Sequence, residues 1–119
     1  MRHPVHATGV GRAILATLPD AEAAPLLGAP LAQVTPFTIA DPQRLRDELS
    51  ATRVRGYALT RQEMSLGNAS LALALAPRAG LPPAAIGVVT HLAAADEQRL
   101  VPLLRRAAAA IEARLDSTE

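Results

Sequence analysis

The chain has 119 residues, half of them hydrophobic, which is enough for one folded domain with its own core. Aromatic residues make up only 2% and the formal net charge is +1, so both the stacking side chains and the basic surface of a nucleic-acid-binding domain are missing. The absence of cysteine excludes disulfides, thiolate nucleophiles and cysteine-based zinc sites. No apolar stretch approaches the roughly 20 residues of a membrane-spanning helix, and no signal-peptide core is present, so a cytoplasmic protein without membrane contact is expected.

The first third of the chain predicts two helices. Thr8 is a suitable N-cap, and Val10, Ile14 and Leu18 recur four residues apart, which places them on one helical face. A glycine-rich turn therefore opens the first helix. A second, shorter helix is predicted over residues 20–27, where an aspartate begins it and a glycine follows its end.

The third helix has the strongest sequence signals. It is predicted over residues 41–53, with Asp41 as N-cap, Pro42 at the first helical position and two leucines spaced by four. Gly56 is expected to end it. Residues 57–60 then predict a short strand.

The middle of the chain predicts a β-hairpin. In residues 70–76 leucine alternates with smaller residues, a period of two that is typical of a strand even though leucine and alanine favour helices. A proline- and glycine-rich turn spans residues 77–83, and residues 84–90 form a second apolar run rich in Ile and Val. These two runs are expected to pair.

Residues 95–115 predict an amphipathic helix with arginine and glutamate on its polar side, including Arg105 and Arg106. Its apolar stripe consists of Leu100, Leu103, Leu104, Ala107, Ala108, Ile111 and Leu115. The fold class predicted from these elements is α+β, with helices covering one face of a small antiparallel sheet.

Several segments together resemble one protein family. Residues 4–16 run Pro-Val-His-Ala-Thr-Gly-Val-Gly-Arg-Ala-Ile-Leu-Ala, which is similar to the signature of the effector-binding domain of IclR-type bacterial transcription regulators. Further matching positions are Thr35, Thr38, Leu45, Leu49, Arg53, Arg55, Gly56, Tyr57, Glu63 and Gly67. They follow in the family's order, and the resemblance spans residues 4–115.

The resemblance implies a fold and a role. The fold would be a partial GAF/profilin-like effector-binding domain, and residues 1–119 would form a single, incomplete domain of this type. The family's winged helix-turn-helix would precede residue 4, so the chain alone is expected to make no DNA contact. The implied function is small-molecule effector sensing and homo-oligomerisation within a transcription regulator, without enzymatic activity or a cofactor.

The resemblance also implies a ligand site, in a closed pocket between the first helix and the hairpin strands. Its residues would be Gly9, Val10, Thr60, Ser70, Gly87 and Val89. In the family, the positions of Gly9 and Val10 offer backbone amides at a helix N-terminus, where an anion binds well. The opposite wall offers hydroxyls from Thr60 and Ser70, so the expected effector is a small organic acid with an apolar or aromatic body. Two departures leave the ligand class open: Thr60-Arg61-Gln62 stands where the family is often acidic, and Ser70 where a cysteine is common.

Other candidate sites have weaker support. Gly9 and Gly11 are too few glycines, without a preceding strand, for a dinucleotide fingerprint. His3 and His6 have the spacing of metal ligands but no acidic partner nearby, so no metal site is expected and His6 is interpreted as a structural residue bonded to nearby backbone. Glu63 is either a general base or, more simply, a solvated side chain or hydrogen-bond anchor.

Two alternatives from other functional classes stay open. A ligand-free dimerisation or interaction fragment would retain the fold without binding an effector, and ligand-dependent thermal stabilisation would distinguish the two. A small enzyme would need a nucleophile, a general base and an oxyanion site together, and the sequence offers no such set.

Overall fold

The structure, a computed structural model, describes residues 5–28 and 30–117. A 3-10 turn at Val5–Ala7 leads into three helices, α1 (Gly9–Thr17), α2 (Asp20–Gly28) and α3 (Pro42–Arg55). The antiparallel strands β1 (Ala58–Arg61), β2 (Asn68–Ala74) and β3 (Ala85–His91) follow, and after a second 3-10 turn comes α4 (Glu97–Asp116). The predicted α+β class is confirmed, and each predicted helix and strand is present with its ends moved by one or two residues.

The three strands form one sheet in the order β1-β2-β3, so β2 is the central strand. Leu71 and Leu73 of β2 pack against Val101, Leu104 and Ala108 of α4. Ala72, which lies between those leucines and therefore faces the other way, packs against Ala13 of α1.

The sheet is thus covered by helices on both faces, and the expectation of one covered face was wrong. Both faces are covered because side chains alternate along β2. Its leucines fill the space beneath α4, while the alanines on the other face allow α1 to approach closely.

Helix α1 buries a different face from the one predicted. Val10 is 41% exposed, whereas Arg12, Ala13 and Ala16 are buried. The apolar spacing failed here because small residues and a fully buried arginine, not the larger aliphatic residues, form the surface that meets the sheet.

The predicted helix ends are confirmed in detail. The Thr8 hydroxyl accepts from the Gly11 amide at 3.1 Å, and the Asp41 carboxylate accepts from the Arg44 amide at 2.9 Å. Gly56 ends α3 with φ 89°, a left-handed conformation that glycine adopts without strain, and its amide donates to the Thr52 carbonyl.

Besides the alanine contact between α1 and the sheet, two larger apolar clusters hold the elements together. One joins α1, α2 and α3 around Leu15, Leu27, Leu45 and Leu49. The other lies between the sheet and α4, whose predicted stripe is only partly buried, because Leu103 is 48% and Ile111 38% exposed. Arg105 and Arg106 are exposed, as predicted. Among residues 5–28 and 30–117, no helix has the length and apolar character needed to cross a membrane.

Candidate functional site

A cavity of about 320 Å³ lies between the N-terminus of α1 and the neighbouring ends of the strands. Its lining includes every residue that the resemblance assigned to ligand binding, namely Gly9, Val10, Thr60, Ser70, Gly87 and Val89. Because these residues come from α1 and from all three strands, the fold gathers into one pocket positions that are as much as 80 residues apart in the chain.

One end of the pocket is the first turn of α1. The Thr8 hydroxyl accepts a hydrogen bond from the Gly11 amide, and the Thr8 carbonyl accepts one from the Arg12 amide at 2.9 Å. The amides of Gly9 and Val10 have no acceptor among the described residues. Two free N–H groups at the positive end of a helix dipole can therefore donate to an anionic group in the pocket.

The opposite wall is a row of residues directly across the sheet. Ser70 of β2 pairs with Thr60 of β1 on one side and with Val89 of β3 on the other, so all three side chains face the pocket together. The Thr60 and Ser70 hydroxyl oxygens lie 2.5 Å apart and hydrogen-bond to each other. Only one O–H is used in that bond, so the pair retains one donor for a ligand.

The loop between β1 and β2 contributes two lining residues that the sequence analysis missed, Met64 and Ser65, and the first residue of β2, Asn68, is a third. The Asn68 side-chain amide donates to the Ser65 hydroxyl at 2.8 Å. The loop has no periodic pattern, and only its position between two pocket-forming strands could have indicated this role.

The pocket is open to solvent on the β3 side, so the expectation of a closed pocket was wrong. Val89 is 75% exposed, because β3 is an edge strand and no described element covers it. None of the lining residues is charged. The arrangement therefore combines hydrogen-bond donors at one end with a mainly apolar body.

A buried ion pair lies beside the pocket. Arg12 is fully buried, and its guanidinium donates from Nη1 to Glu63 Oε2 at 3.0 Å and from Nη2 to Glu63 Oε1 at 2.5 Å. Nη2 also donates to the His6 carbonyl at 2.8 Å. Glu63 is thus a hydrogen-bond anchor in the interior, which is one of the two non-catalytic interpretations offered by the sequence, and it is not a solvated side chain.

Two threonines extend this network. The Thr38 hydroxyl donates to the Glu63 carbonyl at 2.5 Å, and the Thr35 hydroxyl donates to the Gln62 carbonyl at 2.5 Å. The residues matched to the family's paired threonines therefore bind the backbone beside the residue matched to its glutamate.

His6 has the structural role that the sequence predicted, since its Nε2 lies 2.8 Å from the Ala32 carbonyl oxygen. His3, its suggested partner in a metal site, lies outside the described residues. In the segments that the structure describes, no three His, Cys, Asp or Glu side chains come together as a metal site would require.

Comparison with protein families matches residues 1–113 to the family described as the C-terminal part of the bacterial transcriptional regulator IclR. The chain belongs to this IclR family. Among curated proteins, the Pca regulon regulatory protein of Pseudomonas putida is 32% identical over 108 residues, covering 87% of this chain and 37% of the relative.

Solved structures of the IclR family share the fold. An IclR homolog from Microbacterium sp. strain HM58-2 is 30% identical with a TM-score of 0.87, over 100% of this chain and 49% of that one. An IclR homolog from Microbacterium hydrocarbonoxydans, complexed with 4-hydroxybenzoate, is 32% identical with a TM-score of 0.86, over 99% of this chain and 48% of that one.

The chain is therefore an IclR-type C-terminal effector-binding domain, and its homologues are transcriptional regulators, not enzymes. It spans about half the length of these solved chains, and 37% of the curated regulator.

Proposed function

We propose that the pocket binds a small monocarboxylic acid with an aromatic or apolar body, and that the chain thereby serves as the sensing module of an IclR-type regulator. The observation that carries the proposal is the convergence of Gly9, Val10, Thr60, Ser70, Gly87 and Val89 around one cavity. Further support comes from the similar IclR homolog that is complexed with 4-hydroxybenzoate.

The pocket chemistry favours one negative charge. A carboxylate at the first turn of α1 would accept from the Gly9 and Val10 amides, and the helix dipole would add a favourable interaction of roughly 0.3–1 kcal/mol. No cationic side chain lines the cavity, so a second charge would lose its hydration without gaining a partner.

The size and remaining lining favour a single ring. A volume of about 320 Å³ is at the small end of the usual range for ligand sites. Val10, Met64 and Val89 offer apolar surface to a ring, while the Thr60–Ser70 hydroxyl pair and Asn68 offer hydrogen bonds to a ring substituent.

The proposal is tested by titration calorimetry with 4-hydroxybenzoate and with neutral 4-hydroxybenzamide, on the wild-type chain and on two Val10 variants. Val10 lies in the first turn of α1, is partly exposed and lines the pocket. In Val10→Asp a fixed carboxylate replaces the ligand's charge, yet an acidic residue there is favourable for the helix. Val10→Asn has a similar shape without the charge.

We expect the wild-type chain to bind the benzoate and to prefer it to the benzamide. Val10→Asp should lose binding of the acid while keeping or raising its melting temperature, and Val10→Asn should retain most of it. If wild type shows no preference for the acid, or if Val10→Asp binds it as well as Val10→Asn does, the assignment of the pocket is wrong. An absence of binding by any small carboxylic acid would favour the ligand-free interaction fragment.

The remaining roles belong to the same proposal. Homo-oligomerisation is supported by the outer edge of β3, which is unpaired among the described residues and has no Asp, Glu, Lys or Arg side chain.

The formal net charge of +1 supports the absence of DNA contact by residues 1–119 alone, treated as one domain. Specific binding in a mobility-shift assay would contradict it. A cytoplasmic location is supported by the regulatory role of the relatives.

A further inference from the structure

We infer that the Arg12–Glu63 ion pair is a positioning device for the ligand pocket. It fixes the 62–67 loop, the segment between β1 and β2 that carries Met64 and Ser65, against the end of α1 that offers its free amides. The inference rests on the proposed function of the pocket, although neither Arg12 nor Glu63 lines it.

The pair joins two walls of the pocket through adjacent residues. Arg12 lies one helical turn from Gly9, and Glu63 precedes Met64 in the chain. The two parallel bonds from the guanidinium to the carboxylate fix direction as well as distance, because both groups are planar. A shift of the loop relative to α1 would break this geometry.

The loop is held at neighbouring points of its backbone as well. Hydroxyls of Thr35 and Thr38 donate to the Gln62 and Glu63 carbonyls, and the Gln62 amide donates to the Asn68 carbonyl at 2.7 Å. Gln62 has φ 56°, which is unfavourable for a residue with a side chain and persists only where its surroundings impose it. The loop therefore has one imposed conformation.

The burial of the pair argues for a role other than stability. Removing two charges from water is costly, and apolar residues of similar size often stabilise a protein equally well or better. Arg12 Nε is also buried without a hydrogen-bond partner among the described residues, which adds a further cost. An apolar pair would not reproduce the two directional hydrogen bonds that fix the orientation of the loop relative to α1.

The test is the double variant Arg12→Met/Glu63→Leu, which replaces the buried pair by apolar side chains of similar size. We expect it to fold with a melting temperature close to that of wild type, to bind 4-hydroxybenzoate about fivefold to thirtyfold more weakly, the equivalent of one or two hydrogen bonds, and to exchange the amide protons of residues 62–67 faster. Arg78→Gln, which breaks a surface ion pair with Asp116 outside this pocket, is the matched control and should change neither quantity.

Each outcome decides between structural and positioning roles. A folded double variant with unchanged affinity and unchanged loop exchange overturns the inference. If the double variant does not fold, Glu63→Gln, which retains the shape and one acceptor, is measured by the same two readouts with the same criteria. If wild type does not bind 4-hydroxybenzoate, the proposed function fails, and loop exchange alone decides the inference: faster exchange confined to residues 62–67 supports it, and unchanged exchange overturns it.

Discussion

A Cβ atom on Gly9 would lie 2.7 Å from Oγ of Ser70 and 3.1 Å from its Cβ. Helix α1 therefore reaches the sheet as closely as it does because Gly9 has no side chain. The same approach brings Gly9 and the Thr60–Ser70 hydroxyl pair into one cavity, so packing and the shape of the proposed ligand site depend on one contact.

This contact predicts that Gly9→Ala destabilises the fold. The added methyl has to displace Ser70, and overpacking of this kind costs roughly 1–3 kcal/mol. In a Ser70→Ala background the closer of the two contacts is removed, so the cost should be smaller there. Urea denaturation of wild type, both single variants and the double variant measures this coupling, and strictly additive free energies of unfolding would contradict it.

The elements were predictable from sequence where their signals are local. The caps Thr8 and Asp41 and the terminating Gly56 lie within a few residues of the groups they bind, so each could be recognised from its neighbours. The alternation in β2 likewise follows from the sequence, although it could not indicate that both faces are covered.

The buried network was not predictable in the same way. Arginine in a short helix is usually solvated, and Arg12 can be buried because Glu63, 51 residues away, and the His6 carbonyl meet its guanidinium inside the fold. The pocket positions came from a resemblance to a family, whereas Met64 and Ser65 are brought to the pocket by hydrogen bonds of a loop without periodicity.

The hydroxyl pair predicts that affinity and stability respond differently to substitution. Ser70→Ala should weaken 4-hydroxybenzoate binding by about 0.5–1.5 kcal/mol and should also destabilise the fold, because it leaves the buried Thr60 hydroxyl without its partner. Thr60→Val/Ser70→Ala removes both hydroxyls and should recover much of that stability while binding no better. Calorimetry and chemical denaturation measure the two quantities, and a double variant less stable than Ser70→Ala would contradict this account.

The open edge of β3 predicts self-association. Seven residues, Ala85–His91, pair with β2 on one side and with no other strand in the part of the chain that the structure describes, and Val89 is 75% exposed. Such edges template strand pairing unless a charge interrupts them. Sedimentation equilibrium should show wild type and the control Val89→Thr as oligomers, and Val89→Lys shifted towards monomer. A monomeric wild type over a wide concentration range would oppose this prediction.

The contact between Tyr57 and Glu97 joins the start of β1 to the first turn of α4, and it predicts an alkaline pH dependence. The Tyr57 hydroxyl donates to the Glu97 carboxylate, and this hydrogen bond raises the pKa of Tyr57 above its ordinary value of 10.0. Burial and the negative charge of Glu97 act in the same direction, while the positive charges of Arg55 and Arg105 oppose them with smaller effects on the pKa.

Because the pKa of Tyr57 is higher in the folded chain than in the unfolded chain, the contact stabilises the fold fully below about pH 10 and is lost as the pH rises through the folded pKa. Tyr57→Phe should therefore lose less stability than wild type between neutral pH and strongly alkaline pH. The chain has one tyrosine and no tryptophan, so tyrosinate absorbance reports on this residue alone. We expect Glu97→Gln, which keeps an acceptor but removes the charge, to titrate at lower pH than wild type, and equal midpoints for the two chains would show that Glu97 does not control the pKa.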